Sequence, residues 1–244
     1  MAQLSEDPRT AQLAANLAEV RDRIARAARD VGRDPGEVAL IAVTKTFDAD
    51  DVRRLAALGI AEFGENRDQE AAPKAAAVPD VRWHFLGRIQ RNKIRSIASY
   101  ADSVDSVDRT VLVDPLDRAV ADRAIADRAA AQSAPLDVLV QVSLDGDPAR
   151  GGVRAADLPA LADRVEAAEH LRLAGLMAVA PLGGDVERSY ADLADLAARI
   201  RAAHPQARAL SAGMSGDLEA AVRHGSTQVR VGTALLGGRP PVVR

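Results

Sequence analysis

Apolar positions recur at three- and four-residue spacing through Leu13, Leu17, Val20, Ile24, Ala28 and Val31, which predicts one long amphipathic helix ending near Gly32. Beyond it the pattern changes, and short apolar runs alternate with helical stretches. The runs predict strands at 38–44, 61–64, 82–86, 103–107, 136–142, 171–177, 207–211 and 228–232. Helices are predicted between them at about 49–59, 67–77, 91–99, 110–131, 156–168, 187–203 and 216–224. Val38 to Val43 is apolar on both faces, as a strand covered by helices on each side must be. Eight strands separated by helices is the number that closes a parallel barrel, while an open doubly wound sheet is the competing arrangement, since strand order is not written in the pattern. The expected fold is α/β, a single (β/α)8 TIM barrel with residues 1–244 as one domain.

Composition narrows the chemistry. With 48% hydrophobic and 27% charged residues the chain reads as an ordinary globular protein, and a net charge of −3 gives no basic field for nucleic acid or an anionic membrane. Glu6, Asp7 and Arg9 stand where a signal peptide needs an apolar core, and the longest apolar runs are too short to cross a bilayer, so a cytoplasmic location is expected. The absence of cysteine excludes disulfides, thiolate nucleophiles and Cys-ligated zinc. Of 32 basic residues only Lys45, Lys74 and Lys93 are lysines, so a lysine kept inside an apolar run asks for a reason. An amine that can lose its proton is such a reason, because a guanidinium cannot do so.

In a barrel, function gathers at the C-terminal ends of the strands. Lys45 closes the first predicted strand in Leu40-Ile-Ala-Val-Thr-Lys-Thr46, where an apolar setting disfavours the ammonium form, as a Schiff-base lysine requires. The plainer reading is a rim lysine with its stem buried. Ser211-Ala-Gly-Met-Ser-Gly-Asp217 follows the seventh strand and opens a helix, so that backbone N–H groups and the Ser215 hydroxyl can face an anion or merely cap the helix. Val229-Arg-Val-Gly-Thr233 places a second Gly-Thr turn, Gly232 and Thr233, after the eighth strand, and barrels often build a phosphate site from these two loops. A reactive lysine across the mouth from a phosphate cradle points to a phosphorylated aldehyde, of which pyridoxal 5′-phosphate (PLP) is the commonest that stays bound. Arg230, facing a pyridine nitrogen, could not accept its proton and would weaken the ring as an electron sink; its alternative is a plain ion pair. His84 in Trp83-His-Phe-Leu-Gly87 fits a hydrogen-bonded core histidine better than a catalyst, and Asn66 in Phe63-Gly-Glu-Asn66 fits either a ligand contact or a loop-shaping role. Arg88, Arg91, Lys93 and Arg95 form a basic cluster that reads as a solvated face or an anion receiver.

Val43-Thr-Lys-Thr46, Phe63-Gly-Glu-Asn66 with Gln69-Glu70, Trp83-His-Phe-Leu-Gly87 with Gln90 and Asn92-Lys93, Gly175-Leu-Met177, Leu210-Ser-Ala-Gly-Met-Ser215 and Val229-Arg-Val-Gly232 together resemble the pyridoxal phosphate homeostasis protein family, also called the YggS/PROSC family. The match runs in order from about residue 10 to 239. The resemblance implies the alanine racemase N-terminal domain fold, a barrel of PLP fold type III. It implies Lys45 as the PLP-linked lysine, Ser215, Gly232 and Thr233 as phosphate contacts, Arg230 beside the pyridine nitrogen, and Asn66, His84, Ser211 and Met214 lining the pocket. It also implies a role in storing and delivering PLP without an established turnover, with PLP-requiring apoenzymes as recipients. Two departures stand out: Arg67 replaces the tyrosine that commonly follows Gly-Glu-Asn, and Arg150 replaces the usual lysine in Asp145-Gly-Asp-Pro-Ala-Arg-Gly-Gly152.

A racemase of this fold needs a second acid/base on the opposite face of the substrate, a tyrosine supplied by a further domain. The chain shows no such domain, and its tyrosines, Tyr100 and Tyr190, fall at no predicted mouth position. The expectation is therefore a PLP-binding homeostasis protein rather than a catalyst, and charged outer helices with no obvious hydrophobic interface point to a monomer. A low-efficiency PLP-dependent amino-acid racemase is the first alternative, followed by a cofactor-free Schiff-base aldolase and an interaction module with a vestigial pocket.

Overall fold

The computed structural model describes residues 7–126, 134–147 and 150–238. The first helix, α1 (Pro8–Asp30), begins where Asp7 accepts from the Arg9 N–H at 3.1 Å and from the Thr10 hydroxyl at 2.9 Å, with Pro8 in the first turn where no N–H is needed. It ends at Gly32, whose φ of +70° is the left-handed conformation that stops a helix. Leu13, Leu17, Val20, Ile24 and Ala28 are buried as the spacing predicts, but Val31 is 42% exposed. It lies at the C-cap, where the chain has left helical geometry and the apolar stripe no longer faces the core.

Eight strands follow: β1 (Ala39–Val43), β2 (Glu62–Glu65), β3 (Arg82–Phe85), β4 (Ser103–Val107), β5 (Leu136–Val142), β6 (Leu171–Ala178), β7 (Ala209–Ser211) and β8 (Gln228–Val231). All neighbours pair in parallel and β8 returns to β1, with Leu40 opposite Val229, so the sheet closes and the open-sheet alternative falls. Between and after the strands run α2 (Ala49–Ala57), α3 (Asp68–Ala77), α4 (Ile94–Tyr100), α5 (Val113–Ala126), α6 (Leu158–Glu166), α7 (Val186–Ala203), α8 (Leu218–Arg223) and α9 (Thr233–Leu236). The predicted extension of α5 over 127–131 lies outside the described residues.

Alternate residues of each strand point outward to the helices and inward to the barrel axis. In β3, Trp83 and Phe85 join the apolar layers beneath the helices, while His84 points inward among polar groups. Burying the outer layers stabilises the ring at roughly 25 cal/mol per Å² of apolar surface. α1 packs across α8 and α9 beside the β1–β8 closure, which places the first helix behind the last two loops of the mouth.

Candidate functional site

At the C-terminal end of the strands a cavity of about 400 Å³ is lined by Lys45, Asn66, Met214, Ser215, Arg230, Gly232 and Thr233, together with Val43, Thr46, Phe47, Leu86, Met177, Val179, Gly216 and Gly237. That size falls within the usual range for a small-molecule site, about 300–1,000 Å³.

Lys45 stands on one wall. The last ladder bond of β1 runs from Thr44 N–H to Gly64 O at 3.1 Å, and the chain then turns, closed by Phe47 N–H to Thr44 O at 3.1 Å. Lys45 occupies this turn, half-buried, two residues beyond the strand. It is therefore less enclosed than an ending inside the apolar run implies. On the neighbouring wall Asn66 follows β2, and a Cβ on Gly87 would stand 1.8 Å from the Asn66 carbonyl oxygen, so only glycine permits this approach of the two loops.

The loops after β7 and β8 build the wall on the other side of Lys45 from Asn66. Because β8 pairs with β1, they flank the lysine rather than face it across the mouth as expected, and a Cβ on Gly232 would stand 3.2 Å from the Val43 carbonyl oxygen. Gly213, at φ +92°, turns the first loop back over α8. The Met214 N–H donates to Asp217 Oδ1 at 2.6 Å, and Ser215 Oγ accepts from the Ala234 N–H at 3.2 Å, which stitches the two loops together. From behind, Arg23 of α1 donates to the Ser215 carbonyl at 2.9 Å and pairs with Glu219 at 2.6 Å. Gly216 has nothing within 4 Å of where a Cβ would lie, so its backbone is open to an incoming group.

Arg230 belongs to the floor. It is 5% exposed, donating to Ser211 Oγ at 2.8 Å and to the Ala178 carbonyl at 2.7 Å. Burial pulls its pKa down, opposed chiefly by the charge of Asp105. The alternative of a plain ion pair does not hold, since both of its hydrogen bonds go to neutral oxygens. Lys45, Asn66 and Thr233 make no side-chain hydrogen bond or ion pair to another described residue. A cavity that gathers an amine, an amide, a hydroxyl and open backbone, with a guanidinium in its floor, is a donor-rich site suited to an anionic ligand with a carbonyl within reach of the amine.

Two of the expected pocket residues lie elsewhere. Ser211 is fully buried beneath Arg230 and meets the cavity only through it. His84 sits lower in the barrel, because the register sets it beside Ser103, the first residue of β4. Its Nδ1 lies 3.2 Å from both Asp105 carboxylate oxygens, and its Nε2 is 3.4 Å from Glu62 Oε2, near enough to attract but long for a hydrogen bond. Burial alone would lower the His84 pKa, but Asp105 and Glu62 outweigh it and hold it up to about 9. Burial likewise opposes the Asp105 charge, yet His84, Ser103 and Arg230 keep that carboxyl below its ordinary range. Beneath this group a second cavity of about 280 Å³ opens at the N-terminal end of the strands, where Arg82 and Arg172 both grip Asp137, at 2.8 and 2.6 Å.

Neither tyrosine lines the upper cavity. Tyr190 is buried and donates to Asp217 Oδ2 at 2.8 Å, and Tyr100 is half-buried on α4. The two departures sit at the rim: Arg67 is exposed and pairs with Glu70 at 3.5 Å, while Arg150 donates to the Val179 and Ala180 carbonyls at 3.2 and 2.6 Å. Of the basic cluster, Lys93 pairs with Asp68 at 3.4 Å and Arg95 with Asp122 at 3.3 Å, while Arg88 and Arg91 are exposed.

A family model, Alanine racemase, N-terminal domain, matches residues 11–240. The pyridoxal phosphate homeostasis protein of Mycobacterium leprae is 45% identical over 244 residues, spanning 94% of this chain and 93% of that protein. Among solved structures, PipY of Synechococcus elongatus with PLP bound superposes with a TM-score of 0.78 at 34% identity, covering 93% of this chain and all of that one. Alanine racemase of Corynebacterium glutamicum superposes with a TM-score of 0.67 at 14% identity over 62% of its length, a likeness of fold alone. The closed barrel, the order of its motifs and these matches agree: the chain belongs to the alanine racemase N-terminal domain family, on its pyridoxal phosphate homeostasis protein branch.

Proposed function

We propose that this chain, one barrel domain over residues 1–244, binds PLP in the upper cavity and serves to hold and hand on that cofactor. The observation that carries the reading is Lys45 sharing one cavity with the joined loops of Ser215 and Gly232 that flank it, with its amine committed to no partner among the described residues. Relatives at 45% identity that carry the homeostasis name, and a neighbour of the same fold solved with PLP, support it.

The residues fit the group. The Lys45 amine is the attachment point for the aldehyde, as a Schiff base. Ser215, Gly232 and Thr233, with the open backbone at Gly216, receive the phosphate, and Asn66 and Met214 flank the ring. Arg230 meets the pyridine nitrogen with a guanidinium that keeps its own protons, fixed by Ser211 and the Ala178 carbonyl. When bound, PLP supplies an electron sink for amino-acid carbanions, which an unprotonated pyridine nitrogen makes weaker. Ser211 and His84 take part from behind, through Arg230 and Asp105. No helix among the described residues is long and apolar enough to cross a membrane. Cytoplasmic placement, a monomeric state and delivery to PLP-requiring apoenzymes complete the reading.

The test is reductive trapping. Purified protein supplied with PLP should absorb visible light, and borohydride followed by peptide mass analysis should place the label on Lys45. Lys45→Ala should remove both signals while the protein stays folded. Label at Lys74 or Lys93 instead, or none, defeats the reading.

A further inference from the structure

The backbone that carries Lys45 is held in an unusual conformation. Thr46, the next residue, has φ +72°, a left-handed geometry that a β-branched residue adopts only when its surroundings impose it. Among the described residues Thr46 alone combines a side chain with a positive φ. Two side chains of α3 supply the constraint from outside the barrel, one on each side of the lysine. Glu70 Oε2 accepts the Thr46 N–H at 2.9 Å. Lys74 Nζ donates to the Thr44 carbonyl at 2.8 Å and to Glu65 Oε1 at 2.6 Å, while the Thr44 hydroxyl donates to that same Glu65 oxygen at 2.7 Å.

Lys74 and Glu65 are 7% and 0% exposed. A buried ion pair is a poor way to gain stability, since well-packed apolar residues of similar size often serve as well or better. What an apolar pair cannot do is donate to the Thr44 carbonyl. Neither Glu70 nor Lys74 lines the cavity, so neither touches a ligand there.

We infer that Glu70 and Lys74 are positioning residues: α3 clamps the peptide groups on both sides of Lys45 and so aims its amine into the cavity before the cofactor arrives. The inference rests on the reading of Lys45 as the PLP attachment point and adds how that point is prepared. Attachment joins the amine nitrogen to the aldehyde carbon and releases one water. Its rate depends on how often the amine already faces the ring, which a fixed Cα and a fixed turn increase.

The experiment uses the full chain and follows attachment by the growth of visible absorbance, with borohydride trapping mapped to Lys45 and thermal melting recorded alongside. Glu70→Ala is expected to slow attachment about tenfold, the low end of what a strained left-handed residue costs. Glu70→Gln, which keeps an acceptor oxygen, should stay near wild type. Thr46→Gly introduced into Glu70→Ala should restore most of the lost rate, because glycine takes positive φ without help. Removing both charges of the buried pair, in Glu65→Gln with Lys74→Met, should also slow attachment without stranding an ion. Unchanged attachment in Glu70→Ala, or no rescue by Thr46→Gly, overturns the clamp even if melting falls. A wild-type protein that traps nothing at Lys45 overturns the functional reading and the clamp together.

Discussion

At the N-terminal end of the barrel Glu62, Arg82, His84, Asp105, Asp137 and Arg172 are neighbours in one network, and most of its charge is matched inside the protein. At the C-terminal end the side chains of Lys45, Asn66 and Thr233 line the open cavity with no hydrogen-bond or ion-pair partner among the described residues. The charges of the lower end largely answer one another, whereas three polar side chains of the upper end await something from outside. Residue type alone does not separate the two. Arg230 and Asp105 lie at the boundary, where the lower network reaches up to the guanidinium of the floor.

The contrast predicts that lower-end substitutions act on stability and upper-end ones on binding. The largest effect belongs to Asp105→Ala, which removes the fully buried carboxylate paired with His84 and should cost about 3–5 kcal/mol in urea unfolding. Thr233→Ala, at the mouth, should stay within about 0.5 kcal/mol. If Asp105→Ala unfolded within 1 kcal/mol of wild type, the lower network would not be structural.

Next in size is a pH dependence. His84 is raised in the folded state to about 9 from an ordinary 6.5, so its stabilisation is complete below about 6.5 and is lost as pH climbs through 9. Unfolding free energies at pH 6 and 9.5 should differ by roughly 3 kcal/mol from this group. His84→Gln should flatten the profile, and an equally steep one in that variant would assign the effect elsewhere.

The smallest effect is at the upper end. Ser215→Ala should weaken PLP binding about tenfold, the value of one charge-assisted hydrogen bond, while unfolding shifts by no more than about 1 kcal/mol. Equal losses of affinity and stability would mean that the Ser215 bond to Ala234 matters more than any contact with phosphate.

The strands were legible because a covered parallel sheet demands near-continuous apolar runs, and Val38 to Val43 or Val138 to Val140 can be little else. That Lys45 and the two anion-ready loops share one mouth followed once the ring was taken as closed, since every strand end then opens on the same face. That the loops flank the lysine emerges only with the pairing of β8 to β1. Height inside the barrel was not legible. Alternation shows that His84 points inward, but how far below the rim it sits depends on the stagger of neighbouring strands, and the pairing of His84 with Ser103 emerges only on closure. Lys74 was missed for a related reason. A lysine on a helix reads as solvent-facing, and the signal that could have found it is Glu65, an acid closing a strand with buried neighbours and so in need of a cation.

The seam between β1 and β8 sets a demand on synthesis. Within this barrel β1 keeps one bare edge until β8 is made, and the apolar stripe of α1 lacks part of its cover until α8 and α9 exist. A nascent chain of this topology therefore carries exposed hydrogen-bonding groups and greasy surface through most of translation, the condition under which strands pair with strangers.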